Sequence, residues 1–222
     1  TPTERADATA RLWLTRYGLV SKEVAALENV PGGFASLYPV FRALEDSGQI
    51  RRGNFVQAIA AIQFAAPHAL DQLRLHINDP EQPALLTLAA NDCANPYGIT
   101  LAWPNVREPD EATDIAHDED RPRRSVGALC ITINGRAAAW LSRGLAALIV
   151  WPAPAPQTER DDALLAGEIV RLAQAQRLRG AACSIVTING LPASNAPFSA
   201  ALCTAGFAES GGQLQLSRLL RG

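Results

Sequence analysis

Apolar positions recur at helical spacing through the first part of the chain. Ala8 to Tyr17 reads as a helix carrying Leu12, Trp13 and Tyr17 and stopped by Gly18. Ser21 stands where an N-cap belongs, ahead of Lys22, Glu23, Val24 and Leu27. After the turn N-V-P-G-G-F (29–34), Phe34, Leu37, Tyr38, Phe41 and Leu44 make one stripe of a third helix. A proline suits only a first helical turn, where N–H groups lack intrahelical partners, so Pro39 predicts a start near Ser36; Gly48 is the stop. Q-I-R-R-G-N-F-V (49–56) and I-Q-F-A (62–65) read as the two arms of a hairpin, and Pro67 opens a helix to about His76. Three helices followed by a β-hairpin predict a winged helix over residues 1–78.

The pattern changes after D-P-E-Q-P (79–83), read as a linker. Ala84 to Ala90 is a short apolar strand, and N-D-C-A-N-P-Y-G (91–98) is a loop, because the residue before a proline avoids the helical region. Residues 106–124 form a polar excursion, acidic and then basic. Strands are predicted over 126–133, 136–142 and 145–151, the first pair joined by Asn134-Gly135, a type I′ hairpin signal. A helix over 160–178 follows the P-A-P-A-P break, then a strand over 181–188. Asn195 is expected to cap a helix ending at Gly206, and 213–216 is the last strand. I-T-I-N-G (131–135) and V-T-I-N-G (186–190) read as two turns of the same chemistry. The predicted class is α+β: an N-terminal winged helix, then an antiparallel sheet with two helices over 84–222 and a β-α-β-α-β ending.

Composition narrows the classes. The 222 residues are 48% hydrophobic and 19% charged, as in a globular chain. Leu145 to Trp151, the longest apolar run, falls far short of the ~20 residues of a membrane span. A net charge of −2 supplies no global field toward nucleic acid or anionic lipid. The chain contains no Met and begins at Thr1, which predicts a fragment of something longer or a processed chain. Cys93, Cys130, Cys183 and Cys203 lack metal-ligand spacing and read as four buried thiols of a cytoplasmic protein.

The chemical signals are sparse. No phosphate-binding glycine loop and no serine-nucleophile motif occurs, H-D-E-D (117–120) falls in the acidic excursion, and His68, His76 and His117 are scattered. Nothing calls for a cofactor or metal in this segment. On the winged helix, the outward positions of helix three would be Ser36, Arg42, Ala43, Asp46 and Ser47. One arginine against Glu45 and Asp46 is a poor reader of base edges. Arg51 and Arg52 on the wing are better placed for phosphate contacts, with a solvated strand as the alternative. In the loop, Asp92, Asn95 and Tyr97 combine a carboxylate, an amide and a stacking ring. They read either as a pocket able to support glycosidic-bond cleavage or as an Asx turn packed on Tyr97.

Several strings carry a resemblance. V-P-G-G-F-A-S-L-Y-P-V-F-R-A-L-E-D-S-G-Q-I-R-R-G-N-F-V (30–56), I-Q-F-A-A-P (62–67), D-C-A-N-P-Y-G-I-T-L-A-W-P (92–104), V-G-A-L-C-I-T-I-N-G (126–135) and A-L-C-T-A-G-F (201–207) resemble the C-terminal region of the large helicase-related (Lhr) family. These are bacterial superfamily 2 ATP-dependent DNA helicases. The resemblance implies a helicase motor elsewhere in the parent chain, which would use ATP and Mg. It also implies an end region of winged helices and a β-rich module, similar in arrangement to winged-helix alkylpurine DNA glycosylases and involved in self-assembly. Partners so implied are DNA, through a local patch of Arg42, Arg51 and Arg52, the helicase core, and further copies of the chain, with no membrane. Asp92 is the candidate catalytic residue. The sequence departs from the family where Q-A-I-A-A (57–61) replaces a glycine-rich wing, and in N-D before the cysteine, where T-D is commoner.

Overall fold

The computed structural model describes residues 1–59, 61–76, 82–105, 121–180 and 183–217. The linker expected over 79–83 therefore lies largely outside the described residues, as do H-D-E-D and the rest of the acidic excursion over 106–120. The chain divides into two compact units, Thr1–Glu81 with Ile99–Ala102, and Gln82–Gly98 with Trp103–Gly222.

The first unit begins with α1 (Pro2–Tyr17), six residues earlier than the apolar pattern indicates. The start is set by polar chemistry: the Thr1 side chain accepts from the Glu4 N–H and the Glu4 carboxylate reaches back to the N-terminus, a capping box with Pro2 just inside. At the other end the Gly18 N–H donates to Leu14 C=O at a φ of 70°. β1 (Leu19–Val20) follows, too short for any periodicity to announce it. Then come α2 (Lys22–Leu27), α3 (Gly33–Asp46), β2 (Arg51–Gly53), β3 (Gln63–Ala65) and α4 (Pro67–Leu75). The three strands pair antiparallel in the order β1-β3-β2, which leaves β2 on an edge.

Helix α3 starts at Gly33, not near Ser36, and Pro39 lies inside it. The reason is exposure. Pro39 and Ala35, whose carbonyl loses its partner, are both on the solvent side, where water can serve that carbonyl. The opposite face is buried as the stripe requires, through Leu37, Phe41 and Leu44. Phe41 stacks on Phe64 of β3 at 5.2 Å between ring centroids, with Phe34 5.8 Å from Phe41.

In the second unit β4 (Leu85–Ala89), β5 (Leu129–Ile133), β6 (Arg136–Leu141) and β7 (Ala147–Val150) form an antiparallel run. After α5 (Thr158–Leu178) come β8 (Ser184–Ile185), β9 (Thr187–Ile188), β10 (Leu191–Pro192), α6 (Ser199–Ala205), β11 (Phe207–Ser210) and β12 (Gln213–Leu216). A six-stranded sheet has the order β10-β9-β7-β6-β5-β4, and a three-stranded sheet the order β11-β12-β8. The pair β7–β9 is parallel, so the sheet is mixed rather than wholly antiparallel. The single strand expected over 181–188 is two, because Ile185 pairs with Leu214 of the small sheet and Ile188 with Leu148 of the large one. Asn195 ends a 3₁₀ turn and caps nothing; the helix starts beyond Pro197, at Ser199. Both Asn-Gly turns adopt left-handed φ at both residues, 51° and 77° at Asn134-Gly135, 53° and 75° at Asn189-Gly190.

Two layers of core flank the large sheet. One face packs Ile131, Leu141, Leu148, Leu165 and Ile169 between the sheet and α5. The other carries Trp140, Ile149 and Trp151, with Tyr97 and Trp103 packed against them. No described helix is long and apolar enough to cross a membrane.

Candidate functional site

On the first unit, the side chain that organises the wing is Gln63, fully buried in β3. Its Oε1 accepts from the Phe55 and Val56 N–H groups at 2.9 and 2.8 Å. Its Nε2 donates toward Asn54 Oδ1, Val56 C=O and Ile59 C=O at 3.0, 2.9 and 2.8 Å. One amide thus supplies the partners that a glycine-free wing cannot find in a regular ladder. Sequence reasoning missed it, because Gln63 and Phe64 are adjacent and both buried, where alternation would expose one of them. The polar residue inside I-Q-F-A is the signal that was there to find.

That clamp fixes the end of the hairpin whose edge strand holds the arginines. Arg51 and Arg52 pair in register with Ala65 and Phe64. Both are exposed, and among the described residues the Arg51 guanidinium forms no ion pair, unlike that of Arg52. Arg52 Nε lies 3.2 Å from Glu45 Oε1, and Arg42 Nη1 lies 3.6 Å from Glu45 Oε2, with Asp46 3.9 Å from Arg42. The structure therefore brings Arg42 and Arg52 together around one carboxylate.

On the second unit the loop 91–98 is an interlocked turn. Asp92 Oδ1 accepts from the Ala94 N–H at 2.8 Å. Asn95, fully buried, donates to Ala90 C=O and accepts from the Tyr97 N–H. The Tyr97 hydroxyl donates to Gly135 C=O at 3.1 Å and accepts from the Ala137 N–H at 3.0 Å. Its ring stacks on Trp103, which stacks on Trp151, with centroids 5.8 and 5.9 Å apart. Arg124 was not singled out in the sequence, yet it donates to three loop carbonyls, Asp92 and Asn95 at 2.7 Å and Tyr97 at 3.2 Å. Asp92, Asn95 and Tyr97 do lie together, and their side chains hold the loop. Asp92 stays half-exposed.

Beside the Asn134-Gly135 turn, buried Asp161 on α5 accepts from Arg136 at 2.8 Å and from Arg160 at 3.0 Å. Burial, and then the neighbouring Asp161 charge, hold the Asp162 carboxyl above its ordinary value of 3.8, against a lowering by Arg136. A folded-state value raised in this way means the native chain binds the proton more tightly, so stability falls as pH rises out of the usual carboxylate range. Asp162→Asn is expected to be the more stable chain at neutral pH, the difference vanishing below 3.8. Urea melts across that interval check it; identical profiles for the two chains would contradict it.

The thiols differ from expectation. Only Cys130 is buried, its thiol pushed up to about 11 by burial; Cys183 is half-buried, and Cys93 and Cys203 are exposed. Cys93 sits in the loop turn and Cys203 on the outer side of α6, positions the apolar pattern around them does not separate from core.

A winged-helix domain model of large helicase-related protein matches residues 1–85. The chain is 41% identical over 157 residues to "Lhr helicase/ probable uracil glycosylase" of Mycolicibacterium smegmatis, an alignment covering 69% of this chain and 10% of that protein. It is 34% identical over 217 residues to "Lhr helicase/uracil glycosylase" of Escherichia coli, covering 94% of this chain and 13% of that protein. The chain thus spans roughly a tenth of the length of these relatives. The winged helix at the start of the chain thus matches the large helicase-related (Lhr) family, and similarity to Lhr helicases continues through both units.

Proposed function

We propose that this chain is an accessory module from the C-terminal part of an Lhr-type ATP-dependent DNA helicase in the bacterial cytoplasm. It binds nucleic-acid backbone through its wing and takes part in assembling the helicase. The winged-helix domain (1–78) carries the binding, and the α+β domain (84–222) docks toward the helicase core or another copy. ATP and Mg act in the motor, whose motifs this sequence does not contain. The carrying observation is Arg51, an exposed cation on the edge strand of the wing, next in sequence to Arg52. Phosphate contacts of this kind release counterions, so binding falls linearly with the logarithm of salt concentration, with a slope of about −0.9 per contact.

The expected result is measurable binding of labelled single- or double-stranded DNA at about 50 mM salt, with Arg51→Gln making the duplex slope shallower by about 0.9. No affinity at low salt, or an Arg51→Gln chain with the wild-type slope, would overturn the proposal. If instead sedimentation at micromolar concentration gave a stable oligomer without DNA affinity, a purely structural assembly role would replace it.

A second reading draws on the printed names of the relatives, which join helicase and uracil glycosylase. Here the half-exposed Asp92 carboxylate would activate water or stabilise an oxocarbenium-like state, beside Asn95 and Tyr97. Full uracil excision by an Asp92→Asn chain would remove that assignment.

A further inference from the structure

We propose that Glu45 is an internal counterion seated where a nucleic-acid phosphate binds between Arg42 and Arg52, and that backbone binding displaces it. This rests on the nucleic-acid reading above and names the residue that governs it.

The geometry is that of a shared site. The Glu45 carboxylate lies 3.6 Å from the Arg42 guanidinium on one oxygen and 3.2 Å from that of Arg52 on the other. The two arginine side chains come from different elements, α3 and the wing strand β2. They are 40% and 39% exposed, whereas Glu45 is 22% exposed and lies beneath them. Glu45 Oε2 is buried without a hydrogen-bond donor. A buried carboxylate oxygen left without a donor is costly, and the pairs around it are long for charge-assisted hydrogen bonds. A planar guanidinium takes carboxylate and phosphate oxygens in the same way. Both arginine side chains keep part of their surface in solvent, where a phosphodiester can reach them. Asp46, 3.9 Å from Arg42, adds a second negative charge, so the cluster of two cations and two anions is neutral, and Arg51 is the cation left over.

The consequence is that wild-type binding counts fewer released counterions than the three arginines could give. Removing the Glu45 charge frees two guanidinium groups without touching any group assigned to the ligand. Glu45→Gln in the whole 222-residue chain is therefore expected to bind duplex DNA about tenfold more tightly at about 0.1 M salt. Its salt slope should be steeper by about 0.9 to 1.8, for one or two added contacts. Arg52→Gln should cost more affinity in the Glu45→Gln background than in the wild type, a coupling that a purely structural tether would not produce.

If Glu45→Gln fails to fold, the single changes still decide. Displacement predicts that Arg42→Gln and Arg52→Gln each measurably weaken wild-type binding, though by less than Arg51→Gln does; wild-type affinity and salt slope in both would overturn it. Unchanged affinity and slope in Glu45→Gln, with Arg51-dependent binding intact, overturns the counterion role and leaves the wing reading standing. Absence of binding by both wild type and Glu45→Gln overturns both.

Discussion

Gln63→Leu is expected to destabilise the winged-helix unit by about 3 kcal/mol and to melt its wing. Leucine has nearly the volume of glutamine, so no large cavity opens and the loss is one of polar partners. Phe55 and Val56 N–H, and Val56 and Ile59 C=O, all lean on that amide. An orphaned buried group costs about 1–3 kcal/mol, and the sum is limited because part of the wing can move out to water. Gln63→Glu separates the two halves of the clamp. It keeps an acceptor for the two N–H groups but turns a carboxylate oxygen on Asn54 Oδ1 and two carbonyls. That chain should be at least as unstable at neutral pH and recover in part when acid protonates the new carboxyl. Chemical denaturation reports the size of the loss. Hydrogen exchange at Phe55 and Val56 reports its place; protection of those two amides unchanged in Gln63→Leu would contradict the clamp. DNA affinity should fall with the wing, since Arg51 and Arg52 lie on the strand it anchors.

The winged helix was legible in the sequence because its signals are local. The stripe from Phe34 to Leu44 and the glycine stops at 18 and 48 act within one or two turns of the residues they order. Pro39 misled because the cost of an internal proline depends on whether the orphaned carbonyl meets water, which is a tertiary fact. The two Asn-Gly turns were legible because a type I′ turn is set by the dipeptide itself. The strand 181–188 was not, because its two halves answer to different sheets more than twenty residues away in each direction. The site followed the same rule. The candidate residues were found by type, but Gln63, Glu45 and Arg124 were missed as actors. Each works on residues distant in sequence or across a hairpin, and no period marks that role.

Arg124→Met is expected to lower the stability of the second unit by about 3 kcal/mol and to loosen the loop 91–98. Methionine keeps much of the aliphatic stem, whose Cγ lies 3.2 Å from where a Gly98 side chain would begin, so packing is largely conserved. What goes is the fork: three carbonyls, of Asp92, Asn95 and Tyr97, lose charge-assisted donors at once. Lysine at 124 can reach one or two of them from a single nitrogen and should recover part of the loss. With the loop loosened, Tyr97 slides on Trp103, and the stack on Trp151 opens to water. A red shift of tryptophan emission before the main unfolding transition is the expected signature. Asp92→Asn makes the contrast. An amide oxygen can still accept from the Ala94 N–H, so its stability should stay within about 0.5 kcal/mol of wild type. Under the glycosylase reading proposed for the loop, excision lost in Asp92→Asn at wild-type stability would mark the carboxylate as chemical. Activity lost only in Arg124→Met, together with the emission shift, would mark the loop as scaffold. An Arg124→Met chain that melts and fluoresces like the wild type would show that the three carbonyls find water instead, and the guanidinium fork would lose its role.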